Sequence, residues 1–85
     1  MVIIEFSKFK NKLKINPYIG RGLRVPFVRE FKTNKGKRAY FIIYEEFKVV
    51  LFVGYSNKKN QRKFIEDIFQ NLDYFLNIVK NYYNS

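Results

Sequence analysis

Hydrophobic and β-branched residues are concentrated in four short runs within the first two thirds of the chain. Residues 2–6 (VIIEF) form the first run, and residues 26–32 (PFVREFK), 37–44 (KRAYFIIY) and 48–56 (KVVLFVGYS) form the others. Runs of this length and composition predict β-strands. The last two runs are apolar on both faces, which predicts central strands that are covered on both sides.

Turn-forming residues separate these predicted strands. Residues 33–36 (TNKG) predict a hairpin turn in which Gly36 takes the positive-φ position of a three-residue loop. Glu45 and Glu46 turn the chain between the third and fourth strands. Residues 20–26 (GRGLRVP), with two glycines and a final proline, predict a loop.

A short helix is predicted between the first two strands. Ser7 can cap it, and Phe9 and Leu13 then fall on one side among lysines, although a strand-like alternation also fits this segment. Asn16 and Pro17 end whatever structure precedes them.

The hydrophobic period changes from about Asn60 to the end of the chain. Apolar residues then recur at spacings of three and four: Ile65, Ile68, Phe69, Leu72, Phe75, Leu76, Val79 and Tyr83. This pattern predicts one amphipathic helix of about 23 residues, or about 35 Å. The predicted fold is therefore α+β: a small antiparallel sheet of about four strands, a short N-terminal helix and one long C-terminal helix.

Length and composition indicate a single folded domain over residues 1–85. Of the 85 residues, 47% are hydrophobic and 20% are aromatic, which suits the dense core that so small a domain needs. The absence of cysteine and histidine excludes disulfides and thiolate metal sites, and removes the commonest general base near neutral pH. No phosphate-binding glycine motif or cluster of acidic residues is present, so we expect no cofactor and no metal.

The sequence also lacks an apolar run of about 20 residues, the length needed to cross a bilayer. The charges of the N-terminal segment follow a very short apolar stretch, unlike a secretory signal. We therefore expect a soluble cytoplasmic protein that does not interact with membranes.

Positive charge is concentrated in the first half of the chain. The formal net charge is +10, and residues 1–38 hold eleven Lys and Arg against two Glu. Residues 60–85, by contrast, hold three cations against three acids. Such clustering predicts a polyanionic partner, with nucleic acid favoured over an acidic protein; one protein can use both.

The predicted hairpin turn brings several of these cations together. If residues 33 and 37 pair across the turn, Lys32 lies opposite Arg38, and Glu30, Lys32, Arg38 and Tyr40 share one face. A register shift of one residue would place Arg29 on that face instead.

The fourth strand should end beside the start of the third, because neighbouring strands of the predicted sheet are antiparallel. This places Lys58 and Lys59 at the same rim as Arg38 and predicts one concave basic patch that is open at Gly54. Ordinary structural alternatives exist: an ion pair for Arg38, a solvated turn for Lys58 and Lys59, and core packing for the tyrosines. The candidate nucleic-acid-binding residues are Arg24, Arg29, Lys35, Lys37, Lys58 and Arg62.

Three motifs occur in the order typical of one protein family. They are "NPYIGRGLR", then "FVREFK" followed by "KGKRAYFIIY", and then "KVVLFVGYSNKK". Over residues 16–76 this arrangement resembles the RelE/ParE toxin superfamily of type II toxin–antitoxin modules. The resemblance implies a toxin that cuts mRNA at the ribosome and is neutralised by a cognate antitoxin protein.

The resemblance also assigns roles to individual residues. The arginine of the family's third strand falls on Arg38, and the basic residue after its fourth strand falls on Lys59, with Lys58 beside it. Basic residues of its second strand fall near Arg29 and Lys32. These cations would hold the scissile phosphate and stabilise charge while the 2′-hydroxyl attacks.

Two features depart from the family pattern. Only about ten residues lie between the first predicted strand and Asn16, so the usual helical hairpin is at most one short helix; dimerisation or the long last helix would have to compensate. The family's tyrosine or histidine shortly after the basic pair is also missing. Proton transfer would therefore use a lysine with a lowered pKa or one of these side chains: Glu30, Tyr40, Tyr55, Tyr82 and Tyr83.

The leading hypothesis is a ribosome-dependent endoribonuclease, or mRNA interferase. Its expected catalytic residues are Glu30, Lys32, Arg38, Tyr40 and Lys59. One alternative is a non-nucleolytic, ParE-like inhibitor of gyrase. The other is a degenerate toxin or plain basic module that binds nucleic acid.

Overall fold

The fold is α+β, as the sequence predicts, with a mostly antiparallel sheet followed by helices. The computed structural model describes residues 2–3, 18–33 and 35–84. In these residues the strands are β1 (Val2–Ile3), β2 (Arg21–Leu23), β3 (Val25–Lys32), β4 (Arg38–Tyr44) and β5 (Val49–Ser56). A 3₁₀ turn (Glu45–Phe47) joins β4 to β5, and helices α1 (Gln61–Gln70) and α2 (Leu72–Asn84) follow.

The strands lie in the order β1-β5-β4-β3-β2. Strands β2 to β5 form an antiparallel meander, and β1 pairs in parallel with β5. Strands β4 and β5 are therefore internal to the sheet, which confirms their prediction as central strands. Five consecutive residues of β4, from Ala39 to Ile43, are buried, so both faces of this strand are covered.

The prediction of a loop over residues 20–26 is wrong. This segment contains β2 and the start of β3, which pair antiparallel on either side of Arg24. Arg24 has a φ of 55°, the left-handed conformation that reverses the chain within one residue. A strand of three residues is too short to show alternation in the sequence, and it forms here because β3 provides its hydrogen-bonding partner.

The prediction of one unbroken C-terminal helix is also wrong, because the helical segment is interrupted at Asn71. The Asn71 side-chain amide donates to the carbonyl oxygen of Asp67 at 2.7 Å, occupying the acceptor that its own backbone N–H would use in an α-helix. That N–H turns instead to the oxygen of Ile68 at 3.1 Å. The hydrophobic period continues across the break, which is why the pattern does not reveal it.

The two helices cover one face of the sheet. Tyr40 and Ile42 of β4 lie in this layer with Ile68 of α1, while Val49 and Leu51 of β5 are buried with α2. The opposite face is also buried at its centre, where Phe41, Ile43 and Val50 cluster and Ile19 and Phe31 pack beside them.

Several sequence predictions lie outside the described residues. These are the continuation of the first strand over residues 4–6, the short helix after Ser7, the end of that segment at Asn16 and Pro17, and the position of Asn34 in the hairpin turn. Within the described part of the chain, neither α-helix has the length and apolar character needed to traverse a lipid bilayer.

Candidate nucleic-acid interface

The β3–β4 hairpin has the register that brings the predicted residues together. Lys32 pairs with Arg38, and Glu30 pairs with Tyr40. The Thr33 N–H donates to the Lys37 oxygen at 2.7 Å, and Gly36 has a φ of 77°, as the predicted turn requires. Because side chains alternate along a strand, the two pairs share one face, and the alternative register is excluded.

Glu30, Lys32 and Arg38 border a hollow of about 330 Å³ at the hairpin end of the sheet. Strand β3 contributes Glu30 and Lys32, β4 contributes Arg38, and α1 contributes Gln61. Arg21 of β2 and Gly20 complete the lining. The hollow therefore presents three cations around one carboxylate.

The Glu30 side chain is 6% exposed, and both of its carboxylate oxygens accept hydrogen bonds. Arg21 donates to its Oε1 at 2.6 Å, while the Tyr40 hydroxyl and the Gln61 amide each donate to its Oε2 at 2.7 Å. Burial alone would raise the pKa of Glu30, but the hydrogen bonds from Tyr40, Arg21 and Gln61, together with the Arg21 charge, hold it below its ordinary value. Glu30 is therefore ionised at neutral pH.

Tyr40, which donates a hydrogen bond to Glu30, is completely buried. Its hydroxyl lies 2.7 Å from both the Glu30 carboxylate and the Ser56 Oγ. Since a phenol has one proton and donates it to Glu30, Ser56 is the donor to the Tyr40 oxygen. Burial, reinforced by the hydrogen bond to Glu30, raises the pKa of Tyr40 to about 12.

The turn that follows β5 sets the position of Gln61. Asn57 and Asn60 bond reciprocally, each backbone N–H donating to the other side-chain oxygen, at 2.9 and 3.0 Å. Helix α1 begins immediately afterwards with Gln61, whose side chain extends into the hollow and donates to Glu30.

The predicted opening of the basic patch at Gly54 is wrong. Gly54 has a φ of 148°, and a Cβ there would lie 2.8 Å from Cζ of Phe64. The Phe64 ring also packs against the Tyr40 ring, with their centres 4.8 Å apart. The hollow therefore lies further toward β2, between the sheet and the start of α1.

Lys58 and Lys59 lie in the exposed turn between β5 and α1. The last residue of β5, Ser56, pairs with Arg38, so this turn begins at the same end of the sheet as the hollow. Neither lysine lines the hollow itself. Lys35 and Lys37 are exposed in the hairpin turn at that end.

A second hollow, of about 480 Å³, adjoins the first. Arg24 pairs there with the Glu66 carboxylate, and its guanidinium lies 4.7 Å from the centre of the Phe69 ring. The complete lining is Arg21, Gly22, Leu23, Arg24, Gln61, Arg62, Ile65 and Glu66.

Arg29 lies on the opposite face of β3, where its side chain is hydrogen-bonded to the backbone. Its guanidinium donates to the backbone oxygens of Tyr18, Ile19, Gly20 and Pro26, at 2.8 to 3.3 Å. These bonds hold the segment before β2 against the sheet. With four of its five N–H donors used in this way, Arg29 has little capacity left to bind a phosphate.

The cationic side chains around the hollows differ in how many bonds they already make to other residues. Arg21 and Arg24 are paired with carboxylates, and Arg38 makes one hydrogen bond, to the Gly36 oxygen at 3.3 Å. Lys32 and Arg62 make no ion pair with any residue in the described ranges. Arg38, Lys32 and Arg62 are therefore the side chains best able to donate hydrogen bonds to a phosphate.

Sequence reasoning missed Arg21, Gln61 and Ser56. Arg21 belongs to the strand that was predicted as a loop, and Gln61 is separated by 31 positions from the carboxylate that it contacts. Ser56 ends a strand in a position that resembles any polar strand end. Only the folded arrangement identifies these residues.

Among residues 18–33 and 35–84, no three or more Asp, Glu, His or Cys side chains are grouped to hold a metal ion. Comparisons with family models, curated proteins and solved structures give no significant match for this chain.

Proposed function

We propose that this protein is a RelE-like toxin of a type II toxin–antitoxin module that cleaves mRNA at the ribosome. The observation that carries the proposal is the cross-strand pair of Lys32 and Arg38 at the rim of a hollow with an ionised Glu30 at its base. Cleavage of a phosphodiester requires cations around the phosphate oxygens and a nearby acceptor for the proton of the attacking hydroxyl.

In the proposed reaction, the ribose 2′-hydroxyl attacks the adjacent phosphorus and the bond to the 5′-oxygen breaks. Lys32 and Arg38 stabilise the negative charge that develops on the phosphate, and Lys59 contributes from the turn after β5. Glu30 accepts the proton of the 2′-hydroxyl while Tyr40 holds Glu30 in place, and the departing 5′-oxygen takes a proton from solvent water. The resemblance of the motifs in residues 16–76 supports the toxin assignment independently of this geometry.

A cognate antitoxin is the second proposed partner. The net charge of +10 favours an acidic protein that covers the basic residues and so blocks access of RNA. A second copy of the chain is the alternative partner, which would compensate for the short N-terminal helix that the sequence predicts.

Inducible expression in bacteria tests the proposal. We expect the unaltered protein to arrest growth, and Arg38→Ala and Lys32→Ala to relieve the arrest. Lys80→Ala is the matched control, because Lys80 is an exposed cation of α2 outside both hollows. Circular dichroism of each purified variant establishes that it is folded.

Cleavage of a defined mRNA, with and without ribosomes, supplies the chemical measurement. We expect cut ends only when ribosomes are present, and a reduction of about 100-fold or more in Arg38→Ala, the order found on removing a charge-stabilising donor. If folded Arg38→Ala cleaved mRNA as fast as the unaltered protein, the proposed mechanism would be wrong.

One observation favours a second candidate, a module that binds nucleic acid without cleaving it. Glu30 accepts three hydrogen bonds and has a lowered pKa, which makes it a weak proton acceptor, and Tyr40 is buried with a pKa of about 12. RNA binding that weakens steeply with salt, without cleaved ends, would support this candidate. Supercoiling defects without cleavage would support the ParE-like alternative.

A further inference from the structure

The two hollows beside β2 are adjacent and share two lining residues. Arg21 and Gln61 line both of them, so these two side chains lie at their common border. The first hollow continues toward Lys32 and Arg38, and the second continues along α1 toward Arg62. We call the two adjacent hollows together the β2–α1 groove.

The β2–α1 groove has a strong excess of positive charge. Its cations are Arg21, Arg24, Lys32, Arg38 and Arg62, against the two carboxylates of Glu30 and Glu66. Both carboxylates are already paired with arginines. The cations without a carboxylate partner among the described residues therefore lie in both halves: Lys32 and Arg38 in the first, and Arg62 in the second.

The second hollow also has apolar walls. Leu23 and Ile65 line it together with Arg21 and Arg62. A polar rim with an apolar wall suits a nucleotide, whose base or ribose contacts the wall while its phosphate contacts the cation. The volumes of about 330 and 480 Å³ each lie within the range of sites that hold small organic groups.

We propose that the β2–α1 groove binds two consecutive phosphates of one RNA strand, the first at Lys32 and Arg38 and the second at Arg62. This inference rests on the RNA-binding part of the proposed function and extends it from one phosphate to a strand. The second phosphate contact aligns the strand along the groove. A ligand with a single phosphodiester therefore uses only half of the groove.

Arg62 and Lys63 provide a matched pair of variants for the test. They are adjacent exposed residues of α1, but only Arg62 lines the groove, whereas Lys63 lies 3.9 Å from the Asp67 carboxylate. Arg62→Gln and Lys63→Gln remove one positive charge each. A nonspecific effect of net charge should be the same in both variants.

The experiment measures binding of the full chain to an adenine dinucleotide with one phosphodiester and to a hexanucleotide of the same base. It is done over a range of salt from about 50 to about 200 mM. We expect Arg62→Gln to weaken hexanucleotide binding by up to about fivefold and to lower the salt slope by about 0.7. Binding of the dinucleotide should stay within about twofold, as should both ligands with Lys63→Gln.

The possible outcomes separate the groove from the wider proposal. Equal effects of Arg62→Gln and Lys63→Gln on the hexanucleotide would overturn the groove, while cleavage that still depends on Arg38 would leave the proposed function intact. An Arg62-specific effect without cleavage or growth arrest would support the groove and overturn the catalytic proposal. No measurable binding of the hexanucleotide, together with saturable binding of polyglutamate, would overturn the groove in favour of an acidic protein ligand.

Discussion

The hydroxyl of Tyr40 lies 2.7 Å from Oε2 of Glu30, and neither side chain is more than 6% exposed. This bond joins the core of the sheet to the base of the candidate site. Ser56 donates to the same hydroxyl, so the position of the Glu30 carboxylate depends on the ends of three strands, β3, β4 and β5. Site geometry and stability are therefore coupled through one buried network.

Removal of the Tyr40 hydroxyl should destabilise the protein. In Tyr40→Phe the buried Ser56 hydroxyl loses its acceptor and Glu30 loses one of its donors. We expect a loss of about 1–3 kcal/mol in the free energy of unfolding, measured by urea denaturation. Tyr55→Phe is the control, because Tyr55 is 41% exposed, and should change stability by less than about 0.5 kcal/mol. Equal stabilities of the two variants would show that the Tyr40 hydroxyl contributes nothing to the free energy of unfolding.

The lowered pKa of Glu30 predicts a specific dependence of stability on pH. A carboxyl with a lowered folded-state pKa stabilises the fold above its unfolded value, near 4.5, and this contribution disappears as the pH falls through the folded-state value. Unaltered protein should therefore exceed Glu30→Gln in stability near neutral pH, and the difference should shrink on acidification.

Denaturant unfolding at several pH values from about 6 to about 3 measures this difference. Glu46→Gln, which removes an exposed carboxylate outside the network, corrects for the change in net charge. A stability difference for Glu30→Gln that stays constant over the whole range would contradict the hydrogen-bonded, ionised state of Glu30.

Gly54 should not tolerate a side chain. Gly54→Ala combines an unfavourable φ of 148° with a Cβ that would lie 2.8 Å from Phe64. We expect a loss of about 1–3 kcal/mol from backbone strain, with a further loss from the contact. Gly36→Ala is the control, because its φ of 77° is also unfavourable but its Cβ would meet no atom within 4 Å.

The double variant Gly54→Ala/Phe64→Leu tests the contact directly by thermal or urea unfolding. A smaller ring-free side chain should relieve part of the clash, so the two changes should be non-additive by about 0.5–3 kcal/mol. Strict additivity would mean that Phe64 does not restrict position 54.

Arg29 should affect stability rather than RNA affinity. Arg29→Lys keeps the charge but cannot donate to four backbone oxygens in a fixed planar arrangement. We expect a loss of about 1–3 kcal/mol in the free energy of unfolding. The salt slope of RNA binding should be unchanged in folded Arg29→Gln, which removes the charge, whereas Lys32→Ala should lower it by about 0.7. A lower slope in Arg29→Gln would place Arg29 in the interface.

The hairpin illustrates what the sequence predicts well. The spacing of the apolar runs indicates β3, β4 and β5, and the position of Gly36 sets the turn length and hence the pairing of Lys32 with Arg38. These features depend on alternation and on turn chemistry, which involve residues close together in the chain. The grouping of Glu30, Lys32, Arg38 and Tyr40 on one face follows from the same local rules.

The break at Asn71 and the short strand β2 illustrate what the sequence does not reveal. A hydrogen bond from one asparagine side chain ends α1 without disturbing the hydrophobic period. Strand β2 has three residues and exists because β3 offers an edge to pair with. In each case the deciding interaction leaves no periodic signal.

By itself, the sequence determined the α+β class, the central strands and the cationic face of the β3–β4 hairpin, because period and turn length act over a few residues. Only the tertiary structure decided that Arg21 and Gln61 meet Glu30 and that Arg29 faces away and donates to four backbone oxygens. It also decided that Phe64 covers Gly54. These outcomes depend on how α1 and β2 pack against the sheet, and packing joins residues whose separation along the chain carries no pattern.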